Sequence, residues 1–167
     1  MRILVSAASK HGATAEIADA IAGTLRDAGH EADLRPPAEV ESVDGYDAVI
    51  LGSAVYAGRW MDDARHFADR HRPGLLERPT WLFSSGPIGE PLAPTEEPVD
   101  GAKLGAALAA RDHRVFPGHI NPSDLSWVER TITRMVKAPD GDFRDWDAVR
   151  EWATTIASEL VPEPATG

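Results

Sequence analysis

Segments of strand character alternate along the chain with segments in which apolar residues recur at helical spacing. The strand-like segments are Arg2 to Ser6, Glu31 to Arg35, Tyr46 to Ser53, Thr80 to Ser85 and His113 to Gly118. Helical spacing is clearest after Gly12, where Ile17, Ile21 and Leu25 lie on one side of a predicted helix. This alternation indicates βαβ units, and hence a parallel sheet with helices on both faces.

Three further helices follow from the same pattern. The second helix has Ala64 and Phe67 on one side and stops before Pro73. The later helices are predicted over Ala102 to Arg111 and around the apolar positions between Val149 and Leu160. Five strands fit a doubly wound sheet, for which the strand order 2-1-3-4-5 is one of two common arrangements.

Length and composition point to a single domain. We expect one folded unit over residues 1–161 and a frayed tail over 162–167, because 167 residues make one domain of ordinary size. The formal net charge of −10 argues against nucleic acid as a partner, since phosphate contacts need clustered Lys and Arg. The chain has no cysteine, no signal-peptide pattern and no run of about 18 apolar residues. We therefore expect a cytoplasmic protein without a membrane span.

Three predicted loops meet at the carboxyl edge of such a sheet, where ligands of doubly wound folds bind. They are Ser6 to Thr14, Ser53 to Trp60 and Ser84 to Pro94. The first loop, SAASKHGAT, runs from a strand into the start of a helix, where unpaired backbone N–H groups favour an anion. Ser6, Ser9 and Thr14 add hydroxyl groups, so a phosphate is the expected occupant. The alternative is that these residues only cap the helix.

Several known phosphate sites do not fit this loop. A Walker loop has Lys followed by Ser or Thr at its end, whereas Lys10 precedes Gly12 here. The dinucleotide fingerprint needs three glycines, and the loop has one. A receiver domain needs acidic residues at the ends of the first and third strands, and small phosphatases of this shape need a cysteine. Neither is present.

Residues 9–14, SKHGAT, resemble the phosphate loop of flavodoxins, which encloses the phosphate of FMN. Ser9, Gly12 and Thr14 match that loop, whereas Lys10 and His11 depart from it. The resemblance implies a flavodoxin-like three-layer sandwich with a five-stranded parallel sheet in the order 2-1-3-4-5. It also implies that Ser6 to Thr14 hold the phosphate, with contributions from the backbone of Lys10, His11, Gly12 and Ala13.

The other two loops resemble the flavodoxin segments on either side of the isoalloxazine ring. GSAVYAGRW would lie against the ring, with Tyr56 or Trp60 as a stacking aromatic and Gly58 free to turn a peptide toward flavin N5. SSGPIGEPL has no second aromatic and would leave one ring face open to a planar substrate. The resemblance assigns ring contacts to Ser53, Ala54, Val55, Tyr56, Ala57, Gly58, Ser84, Ser85, Gly86, Pro87, Ile88 and Gly89.

A narrower resemblance is to the menaquinone-dependent protoporphyrinogen oxidases and their relatives. It rests on HGAT before the first helix, GSAVYAGRWMDDARHFADRH after the third strand, DLSWVERTITRMVKAPDGDFRDW after the fifth, and DWDAVREWATTIASEL at the end. The segment after Gly86 departs from this branch, because it is acidic at Glu90, Glu96, Glu97 and Asp100 and would repel an anionic porphyrin.

These resemblances imply an FMN-binding oxidoreductase that exchanges two electrons with a quinone-like or other planar substrate, a porphyrinogen included. A single-electron carrier between protein partners is the first alternative, and a deazaflavin-using or flavin-free binding module is the second. We identify no side-chain acid or base and no metal site. His66 and His71 are five residues apart on one predicted helix and so lie on different faces, which makes them poor joint metal ligands. We interpret both as surface residues. A homodimer is conceivable.

Overall fold

The computed structural model describes residues 1–9, 12–56, 59–86, 99–117, 119–120, 141–142 and 145–160. Several predictions therefore fall outside the described residues: those for Lys10, His11, Ala57, Gly58, Pro87, Ile88 and Gly89, and that of a frayed tail over 162–167. Within the described part of the chain, none of the helices has the length and apolar character needed to cross a membrane.

The chain folds around a central parallel sheet. Its strands are β1 (Arg2–Ala8), β2 (Glu31–Arg35), β3 (Ala48–Tyr56), β4 (Arg59–Trp60), β5 (Thr80–Gly86) and β6 (His113–Pro117). The five parallel strands lie in the order β2-β1-β3-β5-β6. Since β4 is a short addition beside β3, this arrangement confirms the predicted five-stranded sheet in the order 2-1-3-4-5.

The end of β3 differs from the prediction of a loop over Ser53 to Trp60. β3 continues to Tyr56, and β4 turns back and pairs with it in antiparallel fashion, with Val55 opposite Trp60. The apolar run that marked the strand is interrupted by Gly52 and Ser53, so the sequence did not join Ala54 to Tyr56 to the same strand. A second small ribbon pairs β7 (His119–Ile120) with β8 (Gly141–Asp142).

Helices cover both faces of the sheet, as the alternating pattern predicted. They are α1 (Ala13–Asp27), α2 (Asp62–Arg70), α3 (Arg72–Leu76), α4 (Val99–Ala107) and α5 (Trp146–Glu159), with a 3-10 turn over Pro37–Glu39. The predicted stop before Pro73 is confirmed, but a short helix that was not predicted begins at Arg72. Pro73 is accepted there because the first turn of a helix needs no donor from that position.

Alternate residues of the strands build two cores. Ile3 and Val5 of β1 pack with α1 and α5 on one face, whereas Leu4 and Ala8 pack with α2 on the other. On the first face, the ring of Phe83 lies over Gly52 of the neighbouring strand.

The interpretation of His71 as a surface residue was wrong, whereas His66 is exposed as expected. His71 follows α2 and is only 8% exposed, with its ring 4.7 Å from the Phe67 ring between centroids. Its Nε2 lies 3.3 Å from the Val40 carbonyl oxygen and 3.2 Å from Arg70 Nε. Burial lowers the pKa of the His71 ring, and the contact with the Val40 carbonyl opposes that change. The helical spacing in the sequence did not reveal that His71 is buried, because the segment that covers it, at Val40, lies 31 positions away in the chain.

The His71 environment predicts a pH-dependent stability. The folded state binds a proton at this ring less readily than the unfolded state, so its stabilising contribution is complete above about pH 6.5 and is lost as the pH falls. We expect the free energy of unfolding to decrease between about pH 7.5 and pH 5.5, and to decrease less in His71→Gln. Urea denaturation at several pH values measures this slope. His66→Gln is the matched control, and an equal slope in both variants would contradict the prediction.

Candidate functional site

The carboxyl ends of β1, β3 and β5 lie side by side at one edge of the sheet. Ala8 is opposite Ser53 in the parallel pairing, and Ser53 is opposite Ser84. Adjacent strands are about 4.8 Å apart, so the described parts of the three predicted segments meet within a short distance. In the sheet, β1 lies between β2 on one side and β3 on the other, so the strand order reverses at β1. Doubly wound folds bind ligands at the carboxyl edge beside such a reversal.

The first segment forms an open helix start. Gly12 is the residue before α1 and adopts a left-handed backbone conformation with φ of 86°, and as a glycine it supplies no side-chain cap of its own. Ser9 Oγ accepts the Gly12 N–H at 3.0 Å, which holds the turn between β1 and α1. Because the amide groups of the first turn have no intrahelical partner and Gly12 supplies no side-chain cap to them, this turn suits an anion. Thr14 lies in the same turn and is 2% exposed.

The backbone conformation explains the glycine at position 12. A Cβ added to Gly12 would meet no atom within 4 Å, so the described residues leave space at the helix start. The residue is required for its positive φ, which other residues adopt only at a cost of roughly 1 kcal/mol.

Ser6 is further from the edge than the sequence implied. Its side chain is fully buried on the α2 side of the sheet, and its Oγ has no hydrogen-bond partner in the structure. The assignment of Ser6 as a phosphate contact stays a prediction, and within the described residues its hydroxyl is enclosed by protein.

The unpaired hydroxyl predicts that Ser6→Ala stabilises the protein. A buried polar group without a partner is unfavourable by about 1–3 kcal/mol, and alanine removes the group while keeping the backbone of β1. We expect the free energy of unfolding to rise by about 1 kcal/mol, measured by urea denaturation without added flavin. Ser158→Ala is the control, since Ser158 is exposed on α5 and its Oγ donates to the Thr154 carbonyl at 3.0 Å. A loss of stability in Ser6→Ala would contradict this interpretation.

The second segment is anchored by buried hydrogen bonds at the base of the β3–β4 hairpin. Ser53 Oγ accepts the Met61 N–H at 2.9 Å and donates to the Ala54 carbonyl at 2.8 Å. The Trp60 N–H donates to Asp100 Oδ2 of α4 at 3.1 Å. These contacts hold the strands on either side of residues 57–58, which the resemblance places beside a flavin ring.

Trp60 belongs to the core and does not present its ring to the edge. Its side chain is 2% exposed within the core on the α2 face, and its indole Nε1–H donates to Ser84 Oγ at 2.8 Å. Of the two aromatic residues considered for ring stacking, only Tyr56 is left as a prediction, since the structure describes its backbone in β3 and not its side chain.

Ser84 joins the hairpin to the next strands. Its Oγ lies 2.7 Å from His113 Nε2 as well as accepting the Trp60 indole N–H. We call these three residues the Trp60–Ser84–His113 chain. The sequence did not reveal it, because His113 was identified only as the start of a predicted strand. The sequence does place a polar residue, Ser84, directly after an apolar strand segment, and this was the signal from which a buried hydrogen bond could have been expected.

The other described site residues also lie at the edge. Ala54 is opposite Ser85 in the pairing of β3 with β5, and Gly86 is opposite Pro117 of β6. Ser85 is 4% exposed. The hydroxyls of Ser53 and Ser84 bind within the protein, so contacts of these residues to a ligand would come from their backbone.

Charges near the described edge are largely paired. Asp100 is 14% exposed and lies 3.7 Å from Arg59 Nε. Of the four acidic residues expected at the mouth, Asp100 is therefore mostly buried and paired, and Glu90, Glu96 and Glu97 lie outside the described ranges. Within those ranges, no three His, Asp or Glu side chains come together in a manner suited to a metal ion.

Comparison with known proteins assigns the family. Residues 4–147 match the family model described as Flavodoxin domain. The chain belongs to the flavodoxin domain family. Among curated proteins, this flavodoxin-like chain is 22% identical to the protoporphyrinogen IX dehydrogenase [quinone] of Escherichia coli (strain K12), over 94% of the chain and 95% of that protein.

Solved structures with the same fold include several flavodoxins. The chain resembles the flavodoxin of Streptococcus pneumoniae TIGR4 with a TM-score of 0.60 at 18% identity, covering 96% of this chain and 100% of that one. A cysteine-to-serine mutant of Pseudomonas aeruginosa flavodoxin gives a TM-score of 0.61 at 16% identity, covering 97% and 100%. Rubredoxin oxygen:oxidoreductase from Desulfovibrio gigas matches over 96% of this chain but only 37% of its own, with a TM-score of 0.57 at 12% identity. Family membership supports a flavin-dependent redox protein.

Proposed function

We propose that this flavodoxin-like protein binds FMN at the carboxyl edge of its sheet and exchanges two electrons with a planar, quinone-like substrate. The observation that carries the proposal is the open start of α1, held by Ser9 and Gly12 at the switch point of the sheet. A helix start that follows a glycine and lies beside a hydroxyl suits the phosphate of FMN, and members of the flavodoxin family bind a flavin.

In this proposal the residues divide by the part of FMN they would hold. Ser9, Thr14 and the first-turn amides of α1 would bind the phosphate, and the backbone of Ala54 to Tyr56 and of Ser85 to Gly86 would frame the ring. The flavin would supply the redox chemistry, because no described side chain at the edge is placed as an acid or base. The protein would supply phosphate anchorage, orientation of the ring and a partly water-excluded edge.

The choice of a two-electron oxidoreductase rests on the E. coli relative, whose name gives a quinone as acceptor. We propose the same class of acceptor here, with a porphyrinogen as one candidate donor. The second candidate function is a single-electron carrier between proteins, which the resemblance in fold to S. pneumoniae flavodoxin favours. The third candidate is a deazaflavin-using or flavin-free binding module, and it rests on the departures at Lys10 and His11. The cytoplasmic location and a homodimer stay predictions.

A reductive titration distinguishes the two main candidates. The FMN-loaded protein is reduced stepwise with dithionite without oxygen while the visible spectrum is recorded. A two-electron oxidoreductase should accumulate little semiquinone and be reoxidised rapidly by a soluble menaquinone analogue. Substantial semiquinone with slow reoxidation by the quinone would instead favour the carrier.

A further inference from the structure

We propose that His113 is a positioning residue for the flavin site, acting through the Trp60–Ser84–His113 chain on the β3–β4 hairpin. This inference rests on the proposed flavin site, since the hairpin is the segment proposed to frame the ring. His113 is in β6, two strands away from β3 in the sheet, and it reaches the hairpin through Ser84 of the intervening strand β5.

The direction of each hydrogen bond in this chain follows from the donors available. The Trp60 indole Nε1 is a donor only, so Ser84 Oγ must accept from it. The Ser84 hydroxyl then has its single hydrogen to donate, and His113 Nε2 lies 2.7 Å away. With a neutral His113 that carries its proton on Nδ1, Nε2 accepts this hydrogen and the chain is satisfied from the indole to the imidazole.

Protonation of His113 reverses the second bond. A protonated ring presents an N–H at Nε2, which would compete for the lone pairs of Ser84 Oγ and leave the Ser84 hydrogen in need of another acceptor. Ser84 is fully buried, so an unmet hydroxyl there is unfavourable. We infer that Trp60 would move with β4 in response, because Ser84 and His113 belong to strands β5 and β6, which pair directly with each other.

The surroundings of His113 leave little room for the ring itself to move. A Cβ on Gly101 of α4 would lie 2.4 Å from His113 Cε1, so the ring packs directly against the backbone of that helix. Its centroid is 6.4 Å from that of the Trp60 ring. Because the His113 ring is closely packed, a change in hydrogen bonding at its Nε2 would affect Ser84 and Trp60.

Two carboxylates hold the backbone at the two ends of the Trp60–Ser84–His113 chain. On α4, Asp100 accepts the Trp60 N–H at 3.1 Å and lies 3.7 Å from Arg59 of β4, and Lys103 is exposed. Before β6, Asp112 Oδ1 accepts the His113 N–H at 2.9 Å, and Asp112 Oδ2 lies 3.0 Å from Arg114 Nε. Both ends of the Trp60–Ser84–His113 chain are thus held by carboxylates, while its centre depends on one hydroxyl.

The first part of the test needs no flavin. The indole N–H resonance of Trp60 is followed by NMR in the ¹⁵N-labelled protein from about pH 5 to pH 8, the range in which histidine side chains titrate. It is assigned by its disappearance in Trp60→Phe. We expect a single transition in the wild-type protein and none in His113→Gln, and His66→Gln should behave like the wild type. A Trp60 resonance that does not move with pH, or that moves equally in His113→Gln, would overturn the inference.

The second part measures ring binding with riboflavin, which lacks the phosphate and so does not titrate in this range. We expect its dissociation constant to rise about threefold to tenfold from pH 7.5 to pH 5.5 in the wild type, and to be constant in His113→Gln. Ser84→Ala removes the connection while keeping His113, and it should also abolish the pH dependence; circular dichroism checks that both variants fold. A Trp60 indole resonance that shifts with pH while the riboflavin dissociation constant stays unchanged would overturn the positioning role. If neither riboflavin nor FMN binds at any pH, the proposed function fails and the positioning role fails with it. If FMN binds but the dissociation constant of riboflavin does not change with pH, only the positioning role is overturned.

Discussion

Replacement of Gly52 by alanine should lower the free energy of unfolding by about 2 kcal/mol or more, the largest stability effect that we expect from a single methyl group in this protein. A Cβ at position 52 would lie 2.1 Å from Phe83 Cζ. The Phe83 ring is fully buried and packs against Phe116 and Trp152 at centroid distances of 6.2 Å to each, so it has no open space to enter. Overpacking of this kind forces side chains from their rotamers and shifts the backbone.

Gly23→Ala is the matched control for this substitution. A Cβ at Gly23, inside α1, would meet no atom within 4 Å, and alanine in a helix interior is favoured over glycine by about 1 kcal/mol. The two variants carry the same chemical change and should therefore move urea denaturation midpoints in opposite directions. Destabilisation of both variants to the same degree would show that the contact with Phe83 does not determine the effect at position 52.

The second large effect is expected in FMN affinity. Ser9→Ala combined with Thr14→Ala removes two hydroxyl groups from the proposed phosphate site, where hydrogen bonds to a charged partner contribute about 1.5–3 kcal/mol each. We expect the dissociation constant for FMN to increase at least about tenfold, with that for riboflavin changed much less. Quenching of flavin fluorescence measures both constants.

The control for this pair is Thr154→Ala with Ser158→Ala on α5. Both hydroxyls are exposed and donate to carbonyl groups of the preceding helical turn, at 2.8 Å and 3.0 Å. The control removes the same two side-chain types from a helix surface away from the edge, and it should leave FMN affinity unchanged. FMN affinity that survives in Ser9→Ala/Thr14→Ala would contradict the assignment of the phosphate to this loop.

The sheet could be predicted from the sequence because buried parallel strands carry continuous apolar runs. Val49 to Leu51 and Trp81 to Phe83 are such runs, and both lie in the middle of the observed sheet. The boundaries at the carboxyl edge could not be predicted in the same way. There the strands continue through small and polar residues, such as Ser53 and Ser85, whose strand conformation is set by pairing with neighbours that are distant in sequence.

Local sequence was sufficient to predict the helix start of the candidate site, but it did not reveal the contacts between side chains that are distant in the chain. The helix start at Gly12 needs only local chemistry, a glycine and a nearby hydroxyl, and both are visible in the sequence. The contacts of Trp60 with Ser84, Asp100 and His113 join residues that are 24, 40 and 53 positions apart in the chain, and no local pattern connects them. His71 was misassigned for the same reason.

The most direct test of the central claim is a titration of the flavin-free protein with FMN, followed by flavin fluorescence and visible absorbance. The proposed function predicts saturable binding of one FMN per chain at micromolar concentrations or below, and weaker binding of riboflavin because it lacks the phosphate. Absence of any spectral change at concentrations well above this range, with circular dichroism showing a folded protein, would contradict the claim that the carboxyl edge of this sheet is a flavin site.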